Sequence, residues 1–134
     1  MIGWVGDIEK QTIENETFRT VLHTGDHSQL VVMSIKPGEE IGWEAHGHLD
    51  QFLRIEQGKG RLDLGRSEDS VDEQHDVEDD WAFIVPAGIW HNVVNTGDVD
   101  LRLYTVYSPP EHPDGIVHQT KAEADAYEAE HHHD

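Results

Sequence analysis

An all-β barrel or sandwich is the fold class this sequence predicts, on three observations. Branched and aromatic residues gather in short runs at 21–22, 30–35, 51–56, 60–64, 81–85, 91–94 and 101–107. Turn-forming clusters separate them: Thr24-Gly25-Asp26, Lys36-Pro37-Gly38, Gln57-Gly58, Pro86-Ala87-Gly88 and Asn95-Thr96-Gly97-Asp98. The whole chain, 1–134, is one domain's worth of sequence, enough for a single core without metal or disulfide staples. Many short strands closely spaced pack as two facing sheets or as one closed sheet.

Taken in order, the chain opens with a stretch at 7–15 that has room for a turn of helix, and the first strands follow at 21–22 and 30–35. In the strand at 51–56, period-two alternation puts Gln51, Leu53 and Ile55 on one face and Phe52, Arg54 and Glu56 on the other. If the first face is internal, it lines an apolar pocket with one polar group, and Phe52 becomes a packing or dimer contact. Trp81 is expected in the core. His91, Val93 and Asn95 share a face of the next strand, with Asn95 expected to bond backbone at its end. Residues 119–130, rich in Ala, Glu and Lys, suit a short C-terminal helix.

Twenty-eight acidic residues against nine basic ones leave a formal net charge of -19. Such a surface repels nucleic acid and anionic membranes, which excludes both as partners. The regular apolar runs argue against disorder. A lysine-poor acidic exterior around an ordinary core suggests halophilic origin, where salt screens the self-repulsion. The acidic stretch at 68–80 is read as a solvated face. Cysteine is absent, so disulfides and thiolate metal sites are excluded. No apolar run reaches transmembrane length, and the N-terminus has no basic region leading into an apolar core, so a cytoplasmic protein is expected.

Candidate chemistry centres on His46 and His48, with Gln51 and His91. On a strand, imidazoles at i and i+2 point the same way. With His91 they offer three nitrogens, and Gln51 adds an oxygen. Imidazole suits Zn, Cu, Fe and Ni better than Ca or Mg. The competing account is a pair of surface histidines and a hydrogen-bonded core histidine. Trp43 and Trp90 flank the ligand positions and could line a pocket for a flat or sugar-like ligand, to which Tyr104 and Tyr107 could offer hydroxyls. His23, His27 and His75 are expected at the surface, His112 in the proline-rich tail could fold over a barrel mouth, and His131, His132 and His133 could scavenge metal non-specifically.

The stretch from Pro37 through His46-Gly47-His48 and on through Gln51 to Gly60, together with Pro86-Ala87-Gly88-Ile89-Trp90-His91 and Asn95, closely resembles the two signature motifs of the cupin superfamily. Thr17-Phe18-Arg19-Thr20-Val21-Leu22 and Tyr107-Ser108-Pro109-Pro110 extend the likeness to small single-domain microbial cupins of the kind labelled mannose-6-phosphate isomerase-like. The resemblance implies a double-stranded β-helix (jelly-roll barrel), with a barrel core at about 17–108 and a tail at 109–134. It also implies a homodimer in which one subunit's strands extend its partner's sheet. One divalent transition metal ion, Zn, Fe, Mn or Ni, is implied on His46, His48 and His91.

The family's glutamate ligand falls on Gln51, at an interval from His48 that is one residue short, and Asp80 stands where the second motif usually opens with glycine. A neutral glutamine leaves the ion more strongly Lewis acidic and cannot act as a base. Glu44, two residues before His46, is then the best candidate for a general base. The functions this supports are a metal enzyme acting on a small oxygen-rich metabolite, isomerase-like or dioxygenase-like, or a non-catalytic cupin that binds or senses a small molecule. A structural barrel that has lost its metal is the third possibility.

Overall fold

The computed structural model describes residues 2–131, and His132 and His133 lie outside them. A helix, α1 (Ile8–Glu14), precedes β1 (Arg19–Thr24), β2 (Gln29–Ile35), β3 (Asp50–Gln57), β4 (Lys59–Gly65), β5 (Glu73–Glu78), β6 (Ala82–Val85), β7 (Trp90–Asn95), β8 (Leu101–Ser108) and β9 (Val117–His118). A second helix, α2 (Lys121–Glu130), follows. The strands form a six-stranded sheet, β6-β3-β8-β2-β1-β9, and a three-stranded sheet, β5-β4-β7. Every strand pairing in both sheets is antiparallel. No helix among the described residues is long and apolar enough to cross a membrane.

Alternation decides what faces the interior. Leu53 and Ile55 from β3, Leu101 and Leu103 from β8, Val31 and Met33 from β2 and Val93 from β7 have no exposed surface. Side chains of the two sheets interdigitate there as in any β-sandwich core. The outer face of the larger sheet is partly covered by α1, whose Thr12 is buried and whose Ile13 carbonyl accepts from the Arg102 guanidinium. Both helices are held at their starts by side-chain caps. Asp7 accepts from the Lys10 amide at 3.1 Å and Thr120 from the Glu123 amide at 3.1 Å, each satisfying an N–H that helix geometry leaves free.

Three expectations about particular residues meet the structure differently. Asn95 does bond backbone: its amide donates to the carbonyls of Ile35 and Val99, both at 2.8 Å, and its oxygen accepts from the Gly97 amide. Trp81, by contrast, is not a core residue but 51 % exposed. It precedes β6, in a turn where Asp80 takes φ 73 and both residues bond to Ile55 of β3, so its backbone rather than its ring is what the fold uses. The acidic stretch at 68–80 is the solvated face expected of it, exposed at nearly every residue. It contains β5, an edge strand exposed except at Val77, whose charged side chains keep that edge in water.

Candidate metal centre

The site is built where the stretch leading into β3 zips onto β7. Residues 38–46 run antiparallel to β7 outside any named strand. Ile41 N–H donates to Val93 O at 3.0 Å, Glu44 N–H to His91 O at 3.0 Å, and His91 N–H returns to Glu44 O at 2.8 Å. Glu44 and His91 are therefore direct cross-strand partners, and such partners carry their side chains on the same face. His46 lies two residues on and shares that face, and its carbonyl accepts from Gly88 N–H at 2.8 Å. The chain then turns at Gly47-His48, buries Leu49, and enters β3, where Gln51 faces inward at 2 % exposure.

Three ligand-capable groups, Glu44, His46 and His91, converge. The Glu44 carboxylate lies 3.4 Å from His46 Nε2 and 3.8 Å from His91 Nε2, and the two imidazole rings are 5.4 Å apart. His46 and Gln51 join His91 in lining one small cup, closed by Leu49, Val85, Pro86 and Ile89. His46 Nε2, His91 Nε2 and Gln51 Oε1 are all buried without a hydrogen-bond partner, an expensive condition for polar atoms. A metal ion removes that cost. Donors bound at ~2.1 Å in tetrahedral array stand about 3.4 Å apart, close to the 3.4 and 3.8 Å that the Glu44 carboxylate keeps from the two imidazole nitrogens. Two imidazole nitrogens, a carboxylate and an amide oxygen are a donor set for a transition metal, so the residues present fit one.

Neighbours fix the direction of each donor. His91 Nδ1 lies 3.1 Å from the Ile89 carbonyl, which can only accept. The ring proton therefore sits on Nδ1, leaving the Nε2 lone pair to face the cup. Thr105 acts similarly on Gln51. Its hydroxyl donates to the Phe52 carbonyl at 2.8 Å, so it must accept from Gln51 Nε2 at 3.0 Å, which turns Gln51 Oε1 inward. Thr105→Val should consequently weaken metal affinity roughly tenfold while leaving stoichiometry intact, as read by competition with a chelating dye.

Within the cup, Glu44 and His46 favour each other's charged form and His91 does not join them. Burial raises the Glu44 carboxyl, but His46, His91 and Arg19 outweigh it and hold the group below the ordinary glutamate range. Burial lowers His46, yet the Glu44 carboxylate, assisted by Glu111 and Glu128, brings it above the usual histidine value. For His91 burial wins, and it is lowered despite Glu44.

The converging set is not the expected one throughout. The structure brings His46, Gln51 and His91 to one cup. His48 is exposed, because the 47–48 turn ends the extended backbone on which an H-x-H pair would share a face. The i, i+2 pair that faces inward is Glu44 and His46. Glu44, expected as a base, is the carboxylate of the Glu44/His46/His91 cluster that could hold a metal ion. The short interval between His48 and Gln51 was the available signal, since starting the pair two residues earlier lengthens it. Glu111 was missed altogether: its side chain is 8 % exposed and 3.5 Å from His46 Nδ1.

The aromatic expectations divide likewise. Tyr107 is interior, edge-on to His46 at 6.0 Å, and its hydroxyl lies 3.3 Å from Nε2 of His112, which folds inward from the tail as expected. Tyr104 lies three residues earlier on the same strand and therefore on the opposite face, tilted against Phe52 at 6.2 Å. Trp43 and Trp90 each precede an inward ligand by one residue and stack on each other at 6.0 Å on the side away from the cup. Trp43 also donates to the Glu68 carbonyl at 2.8 Å. Gly65 lies beneath it, where an added Cβ would collide with the Ser70 backbone and approach Trp43 to 2.9 Å.

Comparison with known proteins agrees with this architecture. The Cupin domain family model (Cupin_2) matches residues 31–107. The protein YrkC of Bacillus subtilis is 54% identical over 125 residues, 93% of this chain and 67% of that protein. L612 of Acanthamoeba polyphaga mimivirus is 39% identical over 85% of this chain and 70% of its own length. The crystal structure of BH2720 from Bacillus halodurans superposes with a TM-score of 0.91 at 53% identity, covering 92% of this chain and 93% of that one. With both sheets, the motif order and these relatives in agreement, the chain belongs to the cupin family.

Proposed function

We propose that this cupin binds one divalent transition metal ion, Zn, Fe, Mn or Ni, through Glu44, His46, His91 and Gln51, and acts there on a small oxygen-rich metabolite in an isomerase-like or dioxygenase-like reaction. The observation that carries the reading is the cluster of Glu44, His46 and His91, whose two imidazoles keep buried, unsatisfied Nε2 atoms beside one carboxylate. When bound, such an ion supplies Lewis-acid polarisation of a substrate oxygen or, as iron, activation of dioxygen.

The chain's own residues do the rest. Glu44 neutralises part of the ion's charge, and Gln51 adds an oxygen without adding charge. Leu49, Val85 and Ile89 wall the cup and keep water from it. Tyr107 is fully enclosed, and burial pushes its phenol up, so it keeps its proton and serves as a hydrogen-bond donor rather than a base. A binding or sensing role without turnover is favoured by one feature: Glu44 is engaged between two imidazoles, which takes it out of service as a free proton acceptor.

The test is metal stoichiometry of the full chain, purified in high salt without chelators. About one ion per chain is expected, removable by chelator and restored by the matching salt. Protein that arrives empty and takes up none of the four metals would overturn the proposal.

A further inference from the structure

His46 stands with one ring nitrogen toward each of two carboxylates: Nε2 is 3.4 Å from Glu44, and Nδ1 is 3.5 Å from Glu111. The two acids are not equivalent. Glu44 belongs to the cluster that could hold a metal ion, whereas Glu111 approaches the ring's other nitrogen and takes no part in lining the cup. The Glu111 side chain is 8 % exposed, so its carboxylate is withdrawn from water. A buried carboxylate needs a group that donates to it, and an imidazole Nδ1–H is such a group.

Glu111 reaches this place on a strap, residues 109–116, that leaves β8 and returns to β1, where Val21 N–H donates to the Ile116 carbonyl at 3.0 Å. Three of the chain's five prolines, Pro109, Pro110 and Pro113, stand in the strap and limit its φ angles. Gln29, at the start of β2 and 1 % exposed, clamps its middle. Gln29 Oε1 accepts from the Glu111 and His112 amides at 3.2 and 2.9 Å. Gln29 Nε2 donates to the His112 carbonyl at 2.7 Å and to Thr24 Oγ1 at 2.9 Å. Both acceptor sites and both donors of the amide are thereby used, a combination that only a carboxamide supplies. The His112 ring packs edge-on against Tyr107 at 5.1 Å. Buried partners thus fix the backbone at 111–112, and Glu111 is held against Nδ1 rather than free to swing into solvent.

His91 takes its orientation from the Ile89 carbonyl, a neutral acceptor. For His46 the corresponding neighbour is a carboxylate. An imidazole that donates Nδ1–H to a carboxylate keeps its Nε2 lone pair free and becomes the more basic ligand. We infer that Glu111 is a positioning residue for His46, holding the ring with Nδ1–H toward its own carboxylate and Nε2 toward Glu44. It also places a second negative charge behind the centre. Glu44 and Glu111 together then match the two charges of a divalent ion, to which Gln51 adds none. This role deepens the metal reading and rests on it only for the use made of the ring's orientation.

The experiment uses the full chain at one pH, with zinc as the probe and a chelating dye as competitor. Glu111→Ala should weaken zinc binding by roughly tenfold or more, with one ion per chain still bound at saturation. Glu111→Gln should recover part of the loss, because its amide oxygen still accepts from Nδ1–H. Wild-type zinc affinity in Glu111→Ala, or no recovery in Glu111→Gln, would overturn the inference. Nitrogen–proton correlation of the imidazole rings in metal-free protein gives a reading that needs no ion. There the His46 Nδ1–H resonance should move upfield in Glu111→Ala, while that of His91, beside the Ile89 carbonyl, stays in place. A His46 resonance that does not move, or both rings moving alike as in a general loosening, overturns the assignment. Should Glu111→Ala fail to fold, the isosteric Glu111→Gln carries the same measurements, and affinity and resonance both equal to wild type overturn it. A His46 resonance that moves in a chain that takes up no metal leaves Glu111 holding the ring while the metal reading fails, so the two fail separately.

Discussion

His91→Ala should lower metal affinity by on the order of 100-fold or more, whereas His48→Ala should leave metal content unchanged. His91 is 1 % exposed, is oriented by the Ile89 carbonyl, and lies across from Glu44, so no neighbouring side chain can replace its nitrogen. His48 stands in an exposed turn. Elemental analysis of both variants beside His46→Ala checks this. Metal lost equally from His48→Ala and His91→Ala would mean that the H-x-H pair, not Glu44-x-His46, carries the site. The comparison discriminates sharply because an exposed histidine near a metal costs little to remove, while a missing ligand also leaves Glu44 without its compensating partners.

Leu103→Ala should cost about 3 kcal/mol of folding free energy and lower the melting temperature by roughly 10 °C. Leu103 has no exposed surface and sits on β8, between β2 and β3 in the middle of the larger sheet. It pairs with Met33 on one side and Ile55 on the other, both wholly buried, so the lost methyl groups leave a cavity that two flanking strands cannot close. Denaturant unfolding at fixed high salt would measure it. A loss under about 1 kcal/mol would show that the barrel collapses around the gap. Tyr104→Ala, on the outer face of the same strand, should cost less.

Much of the fold was legible because strand signals are local. Leu53 and Ile55 on one strand and Val93 on another were placed on inward faces by alternation, and all three are wholly buried. The C-terminal helix was visible in composition, and the stretch at 7–15, given room for a turn of helix, holds α1. β5 was not, because an edge strand of Glu, Gln, His and Asp carries no apolar face to announce it; only its ladder with β4 makes it a strand. Trp81 was misplaced for the converse reason: a large apolar residue suggests burial, but its backbone is consumed by the turn onto Ile55.

The candidate site divides along the same line. Local pattern alone pointed to an inward His91 with Val93 and Asn95, an inward Gln51 with Leu53 and Ile55, and a metal-capable imidazole at His46. Those faces follow from period-two geometry, which neighbouring residues set among themselves. Setting Glu44 rather than His48 beside His46 and His91, and bringing Glu111 and His112 inward, both depend on which distant segments lie opposite one another. Glu44 joins the cluster with His46 and His91 because its backbone bonds to His91, far along the chain, and hydrogen-bond register between remote segments is a property of the packed sheet, not of any short stretch of residues.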